Sequence, residues 1–95
     1  MTIAAVWNFP GCTTDQYEQV FKLGGSAIND QPKRLSHVCY STADGIAVVD
    51  VWADEDAFAA FGGIIGPATE AAGLTAPPQV YPVQGFMAQD GVRNP

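Results

Sequence analysis

Residues 2–9 alternate, with Ile3, Ala5, Trp7 and Phe9 on one side and Ala4, Val6 and Asn8 on the other. A period of two predicts a strand, and Pro10-Gly11 ends it. The period then changes. Tyr17, Val20, Phe21, Gly24, Ala27 and Ile28 recur at helical spacing behind Thr13-Thr14-Asp15-Gln16. That tetrad suits a capping box, with Thr13 as N-cap and Gln16 reaching back to it. Gly24-Gly25 weakens the middle of this helix or ends it, and Pro32 closes the element. Residues 35–41 and 46–52 alternate again around Asp44-Gly45, a strong hairpin signal.

Asp54 is a good N-cap, and Glu55 and Asp56 complement the dipole of the helix that follows. Phe58, Phe61 and Ile65 form its apolar stripe. Gly66-Pro67 is expected to interrupt the helix, with Pro67 opening a short continuation that Gly73 stops. Residues 79–88 predict a last strand. Pro82 within it confines that strand to an edge, with the proline position facing outward. The tail, residues 89–95, is expected to fray.

The order is βαββαβ. Right-handed crossovers turn it into a single α+β domain over residues 1–95. This is a ferredoxin-like, four-stranded antiparallel sheet with both helices on one face. The hairpin allows two registers. A two-residue loop sets His37 opposite Trp52 and Cys39 opposite Asp50. A four-residue loop sets His37 opposite Asp50 and Cys39 opposite Val48. The registers differ by two residues, so parity is the same in both. His37, Cys39, Val48, Asp50 and Trp52 share one face; Val38, Tyr40, Ala47, Val49 and Val51 share the other.

The second set is the more purely apolar and is assigned to the helix-packed core. The first set, joined by Ile3 and Trp7, is assigned to the face away from the helices. An apolar patch of that kind needs a cover, and pairing two sheets face to face supplies it, so a homodimer through the non-helical face is expected.

Composition narrows the function. The chain has 95 residues, 47% hydrophobic and 15% charged, as a globular domain should. Ten acidic residues against four basic ones argue against nucleic acid or an anionic membrane as partner. Cys12 and Cys39 make no disulfide framework. The start, MTIAAVWNF, has neither a basic segment nor a long apolar one, so a reduced cytoplasmic protein is expected.

Val48-Val49-Asp50-Val51-Trp52-Ala53-Asp54-Glu55-Asp56-Ala57-Phe58, followed by Phe61, resembles the strand-to-helix signature of the dimeric α/β-barrel superfamily. Within it the chain is most similar to the antibiotic biosynthesis monooxygenase-like proteins, and the match in element order spans nearly the whole chain. The resemblance implies several candidate activities: cofactor-free oxygenation of aromatic polyketides, heme degradation or lactone isomerisation. Heme-degrading members set a histidine on the helix after the tryptophan that matches Trp52, and this helix carries none.

The candidate chemistry lies on the mixed face. His37 is the single histidine of the chain, and Asp50 is a mid-strand carboxylate on the same side. Together they form a candidate catalytic, proton-handling pair, or else a structural ion pair. Ile3, Trp7, Cys39, Trp52 and Phe86 are the candidate ligand-binding residues, the tryptophans being suited to stacking on a planar aromatic molecule. His37, Cys39 and Asp50 are the right residue types for zinc, but near neighbours on a strand project in parallel and no second histidine exists. No metal or cofactor is expected. Gly24-Gly25 and Gly62-Gly63 lack the lysine of a phosphate-binding loop.

Two functions follow. One is a cofactor-free monooxygenase or isomerase acting on an aromatic or polyketide-like molecule. The other is a non-catalytic dimeric ligand-binding or structural module. The size of the space between the sheets is the feature that separates them.

Overall fold

The structure, a computed structural model, describes residues 1–88 and 91–93, with side chains to residue 87. Strand β1 (Ile3–Pro10) leads through helix α1 (Thr14–Gly24) and the one-turn helix α2 (Ser26–Asn29) to strand β2 (Arg34–Ser41). Strand β3 (Gly45–Trp52) and helix α3 (Glu55–Ala72) follow, and strand β4 (Gln79–Pro82) completes the sheet. A hairpin of β5 (Phe86–Ala88) and β6 (Gly91–Arg93) stands outside it. The sheet order is β2-β3-β1-β4, with every neighbouring pair antiparallel. This is the ferredoxin-like α+β arrangement that the alternation of periods predicts.

Local chemistry explains the boundaries. Thr13 Oγ1 accepts from the Gln16 backbone N–H, and the Gln16 side chain accepts from the Thr13 N–H at 2.8 Å, closing the capping box. The same side chain donates from Nε2 to the Ala72 carbonyl at 3.1 Å. One amide therefore satisfies a free donor at the start of α1 and a free acceptor at the end of α3. α1 stops at Gly24, where Ile28 of α2 lies so close that a Cβ would collide with it. Gly73, at φ +84°, supplies the left-handed turn that ends α3.

The hairpin takes the longer loop. Ser41 pairs with Ile46, Cys39 with Val48 and His37 with Asp50. Gly45 is required there, because a Cβ would strike the Phe9 carbonyl where β3 begins beside β1.

Two expectations about element limits are corrected. α3 runs unbroken through Pro67. The missing N–H costs the Gly63 carbonyl its usual helical donor at an exposed residue, and Thr69 Oγ1 bonds the Gly66 carbonyl at 3.0 Å, while Ala68 is buried against the core. The last strand of the sheet ends at Pro82 rather than continuing to residue 88. It is an edge strand as expected, but the chain after Gln84-Gly85 forms the separate β5–β6 hairpin. Part of the tail expected to fray is thus paired as β6; residues 89, 90, 94 and 95 lie outside the described residues.

The faces of the sheet are the main correction. Trp52, Ile3, Phe9, Ile46 and Val48 are buried in one cluster with Val20, Phe61 and Leu74 from the helical side. The set holding His37, Asp50, Trp52, Trp7 and Ile3 therefore faces the helices, not the side away from them. Val38 and Tyr40 instead point outward, 54% and 47% exposed. Purity of apolar character was a poor guide. The aromatic residues of α1 and α3 need partners as large as Trp7 and Trp52, and α1 brings its own polar group for His37.

Candidate functional site

Each polar residue of the site is held by the strand register. Asp50 sits at the centre of the sheet between Ala5 of β1 and His37 of β2, and is 2% exposed. A carboxylate buried this deeply needs hydrogen bonds on both oxygens. Oδ1 lies 2.5 Å from His37 Nδ1, and Oδ2 accepts from Trp52 Nε1–H at 3.3 Å. Trp52 and Asp50 are two apart on one strand, so their side chains share a face and the indole bends back onto its neighbour.

The chain of bonds continues to the roof. Tyr17 Oη of α1 lies 2.5 Å from His37 Nε2, and the two rings stack 6° from parallel with centroids 5.9 Å apart. The ionised carboxylate has no proton to give, so His37 Nδ1 donates to it. With a neutral imidazole, Nε2 is then the acceptor of the Tyr17 O–H. Trp52, Asp50, His37 and Tyr17 thus form one continuous polar line crossing from the core to the helices. Burial, and after it the neighbouring Cys39 and Asp50, push the Tyr17 phenol above its ordinary pKa, while Arg34 pulls the other way. Burial also raises the Cys39 thiol.

Between sheet and helices lies a cavity of about 510 Å³, within the range of small-molecule sites. Trp7, Val48 and Asp50 form its floor, and Phe21, Phe58 and Phe61 face them from above. Trp7 meets Phe58 edge-on at 5.9 Å, and Trp52 packs on Phe61 at 5.0 Å. Tyr17, His37 and Arg34 also line it. Arg34 holds its guanidinium 5.5 Å above the Phe61 ring and 6.0 Å from that of Trp52. It forms no salt bridge among the described residues.

Of the residues singled out in the sequence, His37, Asp50 and Trp7 meet at this cavity. Ile3, Cys39, Trp52 and Phe86 are not among its lining residues. Ile3 and Trp52 are fully buried, and Trp52 acts behind the wall by bonding Asp50. Cys39 packs against the core beside Val48. Phe86 belongs to the outer hairpin. Among the described residues no group of three His, Cys, Asp or Glu side chains is placed to hold a metal ion.

Tyr17 and Arg34 were missed. Tyr17 sits on the apolar stripe of α1 and passes for a core residue. Its signal was the hydroxyl, which a half-buried tyrosine must bond to something. Arg34 lies at the first residue of β2, where a charge passes for a strand boundary.

No protein-family model matches the chain, and no curated protein does. Solved structures do. SnoaB, a cofactor-independent oxygenase from Streptomyces nogalater, aligns over 93% of this chain and 95% of its own, with a TM-score of 0.58 and 18% identity. The chain has the fold of SnoaB. A second SnoaB crystal structure, of a mutant, gives a TM-score of 0.57 at 16% identity over 93% and 96% of the two chains. A monooxygenase from the gene ActVA-Orf6 of Streptomyces coelicolor, in complex with nanaomycin D, aligns over 93% and 92% with a TM-score of 0.47 and 25% identity. The likeness to SnoaB runs through nearly the full length of both chains, so it includes the sheet and both helices that enclose the cavity.

Proposed function

We propose that this protein is a cofactor-independent monooxygenase or isomerase that takes a planar aromatic or polyketide-like small molecule into the cavity between its sheet and helices. The observation that carries this is the cavity itself: about 510 Å³, walled by aromatic rings, with His37 bonded to the buried Asp50 at its wall. Aromatic walls suit a flat hydrophobic ligand, and the pair suits removal of a proton from it. The fold shared with SnoaB, an oxygenase that needs no cofactor, supports the same reading.

The outer face of the sheet supports a homodimer. Val38, Val49, Val51 and Tyr40 share that face, and Val38 and Tyr40 are half exposed in the single chain. Two copies paired there would leave both cavities intact, since each lies on the opposite side of its own sheet. Free Cys12 and Cys39 suit a reducing, cytoplasmic setting. Among the described residues no helix is long and apolar enough to cross a membrane.

Titration with hydroxylated fused-ring aromatics tests the reading, using tryptophan fluorescence as reporter of binding, and dissolved oxygen together with chromatography of the product as measures of turnover. His37→Ala and Asp50→Asn are each expected to cut turnover by about 100-fold or more, the size of a general acid–base contribution. Binding with no turnover in the unaltered protein would leave a ligand-binding module. Turnover unchanged in both variants would reduce the pair to structure.

A further inference from the structure

Both nitrogens of His37 are already engaged. Nδ1 is bonded to Asp50 and Nε2 to Tyr17, each at 2.5 Å. A ligand cannot hand a proton to the imidazole directly without breaking one of these bonds. Tyr17, in contrast, lines the cavity, and its oxygen keeps lone pairs after donating to Nε2. The geometry points to Tyr17 as the group that takes the ligand's proton, relaying its own to His37, with Arg34 holding the anion that results. This rests on the aromatic-ligand reading above and adds the chemical state of the bound molecule.

The step balances without a co-reactant. The ligand's acidic O–H or C–H bond breaks, and its proton bonds to Tyr17 Oη. The former Tyr17 proton bonds to His37 Nε2. The products are a ligand anion, a neutral tyrosine and an imidazolium, and the imidazolium forms against the Asp50 carboxylate that already accepts its Nδ1–H. Trp52 holds the other carboxylate oxygen, so Asp50 cannot turn away.

Three charged or titratable side chains act on Tyr17 and fit this order; Glu70 also lines the cavity, with no salt bridge to Arg34. Cys39 and Asp50 disfavour a standing phenolate, and burial does so more strongly, so Tyr17 keeps its proton until a ligand offers another. Arg34 is the cation facing it. With aromatic faces on the guanidinium and no carboxylate bonded to it among the described residues, Arg34 is available to an anion in the cavity. The ligand class is therefore an aromatic acid of the phenol or enol type, bound as its anion.

The test uses 2-naphthol, whose near-ultraviolet absorption moves to longer wavelength on ionisation, with naphthalene as the non-ionisable control. Tryptophan fluorescence reports binding of either. Bound to the unaltered protein, 2-naphthol is expected to ionise at a pH at least about one unit below that of the free compound, the size of a single close counter-charge. Arg34→Gln is expected to remove most of that shift, and Arg34→Lys to restore part of it. Tyr17→Phe keeps the ring and is expected to bind 2-naphthol, as the fluorescence will show, while its bound ionisation moves back toward the pH of the free compound. A Tyr17→Phe complex in which 2-naphthol ionises at the same pH as in the unaltered protein overturns the relay. An unshifted ionisation in the unaltered protein, with naphthalene and 2-naphthol both bound, overturns the anion site and leaves the aromatic cavity standing. If neither compound binds, the aromatic-ligand reading fails and the relay fails with it.

Discussion

The two faces of this sheet are built from the same strands and do opposite things. The helix side carries Trp7, Trp52, Phe9 and Ile3, and with them a histidine and a buried aspartate. The outer side carries Val38, Tyr40, Val49 and Val51, with no charged group in that central set. A ranking by hydrophobicity alone assigns the cleaner face to the core, and here it fails. The intramolecular core tolerates polarity because its partners are local and fixed: Asp50 bonds Trp52 on its own strand, and His37 bonds Tyr17 from the helix above. The outer face has no such polar partner built in, and its central residues Val38, Tyr40, Val49 and Val51 carry no charge that would need one.

Three variants would break or sharpen this contrast. The largest effect is expected from Trp52→Ala on the helix side. It removes a fully buried indole packed on Phe58 and Phe61, and strips a donor from Asp50. A loss of about 3–5 kcal/mol is expected, read from urea unfolding. A loss below 1 kcal/mol would mean that this face is not the core. Next comes the outer side. Tyr40→Glu together with Val49→Asp sets like charges against their copies across a paired sheet, a cost of several kcal/mol to association. Light scattering should report a dimer for the unaltered protein and a monomer for the variant, with unchanged helical circular dichroism. A monomer in both removes the dimer.

The smallest effect concerns pH. The folded state raises the Tyr17 pKa, so above the unfolded value, about 10, the folded chain binds more protons than the unfolded one. Stability from this group is therefore constant at lower pH. It falls as pH climbs from the unfolded toward the folded value. Solvent screening keeps the drop small. Tyr17→Phe should flatten that alkaline limb relative to the unaltered protein in thermal unfolding; an identical limb would detach Tyr17 from the buried line.

Much of the fold was legible because its signals are local. Thr13 and Gln16 announce the first helix, Asp54 and Gly73 bracket the last, and Asp44-Gly45 marks the hairpin whose register sets His37 against Asp50. Parity along the strands is legible too, and it sets His37, Asp50 and Trp7 on one face. The side on which the helices sit was not, because alternation has no sign. Pro67 misled for a related reason: a proline's cost is local, whereas the packing of Ala68 and the long helix around it is tertiary. Tyr17 and Arg34 stayed hidden because their roles depend on elements meeting across the cavity.

The Gln16 amide has a mechanical consequence. It laces the head of α1 to the tail of α3, whereas the other end of α1 stops at Gly24, seated on Ile28. The two helices that roof the cavity are thus stitched together by a single side chain at that end. Losing the Gln16 amide would leave an end of each helix short of a partner at one stroke.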